Sequence, residues 1–171
     1  MTLKEILLKS HEALLNSAVD HALIGGFALA ALGVARATND VDFIINEAQK
    51  DTAKRALIQA GWSIELETEE VIQFGSLGNL DLLIARRPLS KKMLENAKPL
   101  SSLGIKCLSA EAIIGLKIQA YKNDPKREFQ DKADIQNLIL KHKASLDWGE
   151  IQAYSDLFGE TPFIETLKAQ I

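Results

Sequence analysis

Cysteine is almost missing from this chain. Cys107 stands alone, so no intramolecular disulfide can form, no cysteine cluster can hold zinc, and a reducing cytoplasm fits. Histidine is nearly as scarce, and His11, His21 and His142 do not fall at metal-ligand spacing. Aromatic residues make up 6%, and no aromatic clamp for a nucleobase stands out. There is no repeat, no low-complexity tract and no linker rich in Pro, Gly or Ser, so any boundary between lobes must be tight. Positive charge is not in excess: the net charge is −3, and no global field recruits nucleic acid, which would need a local patch. The longest uncharged apolar run, residues 22–35, falls short of the ~20 residues a membrane helix needs. Lys4, Glu5, Lys9, His11 and Glu12 break up the leucines of the N-terminus, so neither export nor a membrane partner is expected.

What is present is an ordinary globular composition. At 171 residues and 47% hydrophobic, the chain can bury one core, with room for a small helical appendix. The rest is organised around residues 23–46. A short apolar run ends in Gly25 and Gly26, a helix-forming segment rich in Ala and Leu follows, and Asp40 and Asp42 bracket Val41 at the head of a second apolar run. Because strand side chains alternate, Asp40 and Asp42 point the same way with Cα atoms roughly 6.5 Å apart.

Taken in order, Thr2 and Glu5 form a capping box that starts a helix. HALIGG reads as a buried strand, FALAALGV as a short helix closing near Gly33, and residues 41–45 as the next strand. A helix over 47–60 ends at Gly61. WSIELE, VIQFG and LGNLDLLIA then give three successive strands, which suggests a mixed sheet rather than strict βαβ alternation. Pro88 starts a helix to about residue 97, and IKCLS is a short edge strand or extended segment. From Ser109 onward only helices are expected, over about 109–122, 126–142, 148–158 and after Pro162. The expected architecture is an α/β (α+β) mixed sheet flanked by helices over residues 1–107, with a helical lobe over 108–171 packed on it.

Asp40, Asp42 and Asp81 fall at strand positions between apolar residues. A carboxylate there is costly to desolvate and needs a cation or hydrogen bonds. A hard divalent ion with oxygen ligands supplies that compensation, and two such ions suit phosphoryl displacement. Mg²⁺ or Mn²⁺ is favoured over zinc. The bland alternative has Asp40 capping a turn and the other two on a solvated face. Gly25 and Gly26 end a strand and open a helix, where free amides can take an anion. They form neither a dinucleotide fingerprint nor a P-loop.

The order of Gly25-Gly26, a spacer, Asp40-Val41-Asp42-Phe43 and a later strand acid, Asp81, resembles the DNA polymerase β-like nucleotidyltransferase superfamily. Arg36-x-Thr38-x-Asp40-x-Asp42 further resembles the bacterial AbiEii-type, toxin-like enzymes. The resemblance implies that Gly25 and Gly26 hold the triphosphate and that Asp40 and Asp42 ligate two Mg²⁺ ions. Asp81 would complete the catalytic metal site and help deprotonate the incoming hydroxyl. Arg36 and Thr38 would support the acids or touch phosphate.

In the C-terminal segment, Lys117 falls in the middle of the arc defined by Ile113, Ile114, Ala120 and Tyr121. It would either pair with an acid or face the cleft between lobes and contact the triphosphate. Arg127, Asp131 and Asp134 form one stripe with Leu138. Together with Lys117 they resemble the Lys, Arg, Asp, Asp set of AbiEii-like enzymes implicated in nucleotide binding. Arg86, Arg87, Lys91, Lys92, Lys122, Lys126 and Arg127 could build the local basic patch an RNA acceptor would need.

The expected activity is transfer of a nucleoside monophosphate from an NTP to a hydroxyl of tRNA, a protein or a small molecule, by a cytoplasmic enzyme that could be the toxin of a toxin–antitoxin pair with an antitoxin partner. The competing readings are a catalytically silent nucleotide- or protein-binding partner on the same scaffold, and an interaction domain without a ligand.

Overall fold

In the computed structural model, which describes residues 1–100 and 103–171, the chain opens with helix α1, Leu3–Asn16. Its start is set by the expected capping box: the Glu5 amide donates to Thr2 Oγ1 at 3.2 Å and the Thr2 amide to the Glu5 carboxylate at 2.7 Å. Ile6, Leu7 and Leu14 are buried along one face with Ser10, whose hydroxyl donates to the Ile6 carbonyl at 2.7 Å. A buried hydroxyl is thereby satisfied.

The strands are β1 (His21–Leu23), β2 (Val41–Asn46), β3 (Ser63–Glu67), β4 (Val71–Gly75), β5 (Leu80–Ala85), β6 (Lys98–Pro99) and β7 (Lys106–Cys107), in the spatial order β3-β4-β5-β2-β1-β7-β6. β2 lies inside the sheet, parallel to β5 and antiparallel to β1. β4 runs antiparallel to both β3 and β5, so the three successive strands form a meander on a partly parallel sheet. The helices after α1 are α2 (Gly25–Ala31), α3 (Lys50–Gln59), α4 (Pro88–Glu95), α5 (Ala110–Asn123), α6 (Glu128–His142), α7 (Trp148–Phe158) and α8 (Thr161–Lys168). None is long and apolar enough to cross a membrane.

Two compact units divide the chain, residues 1–28 with 36–108 and residues 29–35 with 109–171. In the first, α1 packs on α3 and β2, and α4 on β2 and β5. Strand alternation sends Val41, Phe43 and Ile45 of β2, Leu80, Leu82 and Ile84 of β5, and Ile72 and Phe74 of β4 into one core. Residues 42, 73 and 81 are left on the opposite face, each half-buried. In the second unit α5 packs against α6 and α7, and α7 against α8, around Ile114, Ile118, Ile135, Leu138 and Ile151. Residues 29–35 are fastened to α6, where His142 Nε2 donates to the Leu32 carbonyl at 2.6 Å.

Three local features differ from the sequence expectation. Asp40 is in a bend one residue ahead of β2 rather than on the strand. The helix expected from residue 47 begins as a 3-10 turn over Glu47–Gln49, because Asn46 Oδ1 takes the Ala48 amide at 3.0 Å and tightens the first turn. A two-residue strand, β6, pairs with β7 where no strand was expected.

Candidate active site

Parallel pairing of β2 with β5 puts Asp42 directly beside Asp81, and the bend before β2 brings Asp40 to them. One ligand oxygen from each of the three carboxylates lies within 4.8 Å of the other two, with all three residues half-buried. At such separations a pair of ionised carboxylates repels by roughly 3 kcal/mol at an effective dielectric near 20, so the cluster calls for positive charge. Among the described residues no other group of three His, Cys, Asp or Glu side chains converges in this way. The donor set is carboxylate only, which fits Mg²⁺ or Mn²⁺ and fits zinc poorly.

The acids are individually held. Thr38 Oγ1 donates to Asp40 Oδ1 at 2.6 Å, which fixes the acid that no strand ladder holds. Gln73 of β4, opposite Asp81 across the antiparallel β4–β5 pair, donates from Nε2 to Asp81 Oδ2 at 3.1 Å. Burial raises the Asp81 carboxyl above its ordinary range against the pull of Gln73, and the negative charges of Asp40 and Glu65 add to the rise. Glu65 lies on this face, its carboxylate over Gly75, and is the unpaired residue where the β3–β4 register shifts between Ile64 and Leu66.

The two glycines have a packing role beside these acids. Gly25 adopts φ +61°, a left-handed conformation, and a Cβ there would overlap the Asp42 carboxylate. A Cβ on Gly26 would overlap the Thr38 side chain. The Ile24 amide donates to the Asp42 carbonyl at 3.1 Å, so the chain entering α2 is tied to the strand carrying the acid. Side-chain-free positions here let Asp42 and Thr38 stand where they do.

Arg36 is exposed. Lys117, Arg127, Asp131 and Asp134 form a cluster in the second unit. Lys117 is buried, and its Nζ donates to Asp131 Oδ1 at 3.0 Å and Asp134 Oδ2 at 2.7 Å. Arg127 Nε donates to Asp131 Oδ2 at 3.1 Å, and Gln130 Nε2 to Asp134 Oδ1 at 3.1 Å. Lys117 therefore takes the acid-paired alternative of the two that the sequence left open. Much of the expected basic patch is engaged by acids: Arg86 meets Glu47 and Glu69, Arg87 meets Glu70, Lys91 meets Glu47, and Lys122 meets Glu160. Cys107 is buried, and burial pushes its thiol up to about 11, which leaves it unreactive near neutral pH.

Gln73 and Glu65 carried no weight in the sequence reading. The signal was the alternation of VIQFG, which turns Gln73 away from Ile72 and Phe74, but only the strand register gives it Asp81 as partner.

No family model matches the chain, and no curated protein matches it. Solved structures do. The nucleotidyltransferase ANT(2'')-Ia in complex with adenylyl-2''-tobramycin aligns with a TM-score of 0.68 at 15% identity, over 91% of this chain and 95% of that one. The lincosamide antibiotic adenylyltransferase LnuA with lincomycin bound aligns at 0.57 and 18%, over 81% and 96%. An antigenic nucleotidyltransferase-like protein from Paracoccidioides brasiliensis aligns at 0.57 and 18%, over 95% and 90%. With its seven-stranded mixed sheet and eight helices among the described residues, the chain has the nucleotidyltransferase fold of these structures.

Proposed function

We propose that the protein is a metal-dependent nucleotidyltransferase that moves a nucleoside monophosphate from an NTP to an acceptor hydroxyl and releases pyrophosphate. The observation that carries this reading is the convergence of Asp40, Asp42 and Asp81 within 4.8 Å on a sheet of nucleotidyltransferase fold. These three carboxylates would hold two Mg²⁺ or Mn²⁺ ions, whose bound charge would neutralise that developing on the phosphate oxygens. In the transfer the acceptor oxygen bonds to the α-phosphorus, the bond from that phosphorus to the bridging oxygen breaks, and the electron pair leaves with pyrophosphate. Asp81, with one carboxylate oxygen held by Gln73 beside the other two acids, would receive the hydroxyl proton. Gly25 and Gly26 fix Asp42 and Thr38, and the amides at the start of α2 are offered to the triphosphate. Thr38 supports Asp40, and Arg36, exposed on the same loop, is assigned to phosphate. In the second unit Lys117, Asp131 and Asp134 brace α5 against α6, and Arg127, just ahead of α6, closes the cluster on Asp131.

For the acceptor we favour a small molecule. Both ANT(2'')-Ia and LnuA carry antibiotic ligands. Four of the basic residues that an RNA patch would draw on, Arg86, Arg87, Lys91 and Lys122, are already paired with glutamates. The segment Arg36-x-Thr38-x-Asp40-x-Asp42 favours a second reading, an RNA- or protein-modifying toxin with an antitoxin partner. One experiment separates them: purified protein with Mg²⁺ and each α-labelled NTP, offered total RNA, protein lysate and a set of aminoglycosides and lincosamides. Label should enter the small-molecule fraction and vanish in Asp42→Asn. Label in RNA or protein would instead select the toxin reading. Nucleotide binding without transfer in any fraction would reduce the protein to a binder.

A further inference from the structure

Gln73 stands out because it is a neutral residue placed where charge is otherwise concentrated. The registers Gln73↔Asp81 and Asp42↔Asp81 set these three residues in one row across β4, β5 and β2, on one face of the sheet. Backbone ladders on both sides of β4 hold residue 73, so its side chain starts from a fixed point. Its Nε2 meets Asp81 Oδ2 at 3.1 Å.

The choice of donor has chemical consequences. Asp40 and Glu65 both press negative charge on Asp81, and a lysine at position 73 would relieve this most strongly. An ammonium would also occupy the charge balance that a divalent ion needs. A primary amide supplies a hydrogen-bond donor without net charge, so it orients the carboxylate and leaves the cluster's demand for a cation intact. It engages one oxygen, Oδ2, which restrains the rotation of the carboxylate beside the other two acids. Ligating carboxylates held by such outer hydrogen bonds lose about tenfold to hundredfold in metal affinity or activity when the outer partner is removed.

We propose that Gln73 is a positioning residue that sets the orientation of Asp81 for divalent-ion binding, a role that rests on the reading of Asp40, Asp42 and Asp81 as the metal site. Gln73→Met keeps the length of the side chain and removes the donor, and Gln73→Leu removes it with a shorter apolar side chain. The test is Mn²⁺ titration of the whole chain without nucleotide, read by the electron paramagnetic resonance signal of the free ion, at a temperature well below the melting transition of each variant. The unaltered protein should bind Mn²⁺ and Asp42→Asn should not. Gln73→Met should bind about tenfold more weakly or worse. Gln73→Leu should do the same, and provides the measurement if the Met variant does not fold.

A purely structural Gln73 would lower the melting temperature while leaving the Mn²⁺ affinity of the folded protein unchanged, and that result overturns the proposal while the metal site stands. Absence of Mn²⁺ binding by the unaltered protein overturns both.

Discussion

Lys117 illustrates how the partners of a single side chain stay hidden in a sequence. Its position in an apolar arc was legible, but its partners lie 14 and 17 residues away on α6, and only the packing of α5 on α6 brings them to 3.0 and 2.7 Å. A lysine buried between two aspartates has traded hydration for two charge-assisted bonds, so removing it strands both acids. Lys117→Met should therefore destabilise the protein by about 3–5 kcal/mol. Urea unfolding followed by circular dichroism checks this, and a change under about 1 kcal/mol would mean the cluster contributes little. Asp42 was legible in a different way: an acid in an inner strand is rare enough to signal a site without any partner being known.

At the scale of elements, the helix starts and strand alternation were readable because they rest on neighbours in sequence. Thr2 with Glu5 and Val41 through Ile45 are of this kind. Register is not local. Nothing in VIQFG or NLDLLIA announces that residue 73 will face residue 81 or that β3 bulges at Glu65. The junction of α1 with β1 was equally hidden. There His21 Nδ1 donates to the Val19 carbonyl at 2.7 Å, which makes Nε2 of the neutral ring an acceptor for His11 Nδ1–H at 2.8 Å. Asp20 and Lys106, and Glu12 on α1, are the charged groups nearby.

Burial lowers both imidazoles below their ordinary value, and for His21 the Val19 bond and Asp20 oppose the fall while His11 and Lys106 deepen it. Folded-state values below the unfolded value near 6.5 mean that the unfolded chain takes protons first. The stability these rings provide is thus complete above about pH 6.5 and is lost as pH falls from there through the folded values. Asp81 runs the opposite way, since its raised carboxyl favours the folded state as pH falls through the folded value toward the ordinary value near 4, and comparison with His11→Gln, which leaves Asp81 in place, isolates the histidine part. The urea midpoint should drop between pH 7 and pH 5.5, and by less in His11→Gln. Equal midpoints across that range would sink the prediction.

For the molecule as a whole, composition set the class and the spacing of the acids pointed to one cluster, while the grouping of residues 29–35 with the C-terminal helices could not be read in advance. That grouping depends on bonds such as His142 to Leu32, across 110 positions of sequence. A ligand that binds only the folded state stabilises all of it, by about 2.7 kcal/mol at one hundred times its dissociation constant. For a chain of this length that is roughly 5–10 °C in melting temperature. Mg²⁺ with the correct NTP should produce such a rise by differential scanning fluorimetry, and Asp42→Asn should abolish it. An unchanged melting temperature with every NTP would count against a nucleotide site.

The close fit between Gly25 and the Asp42 carboxylate binds the fates of two positions 17 apart. Any side chain gained at the first must evict the acid at the second, so loss of the glycine and loss of the acid are epistatic rather than independent steps. A lineage drifting away from catalysis would be free to change both, whereas one still under selection for it could change neither.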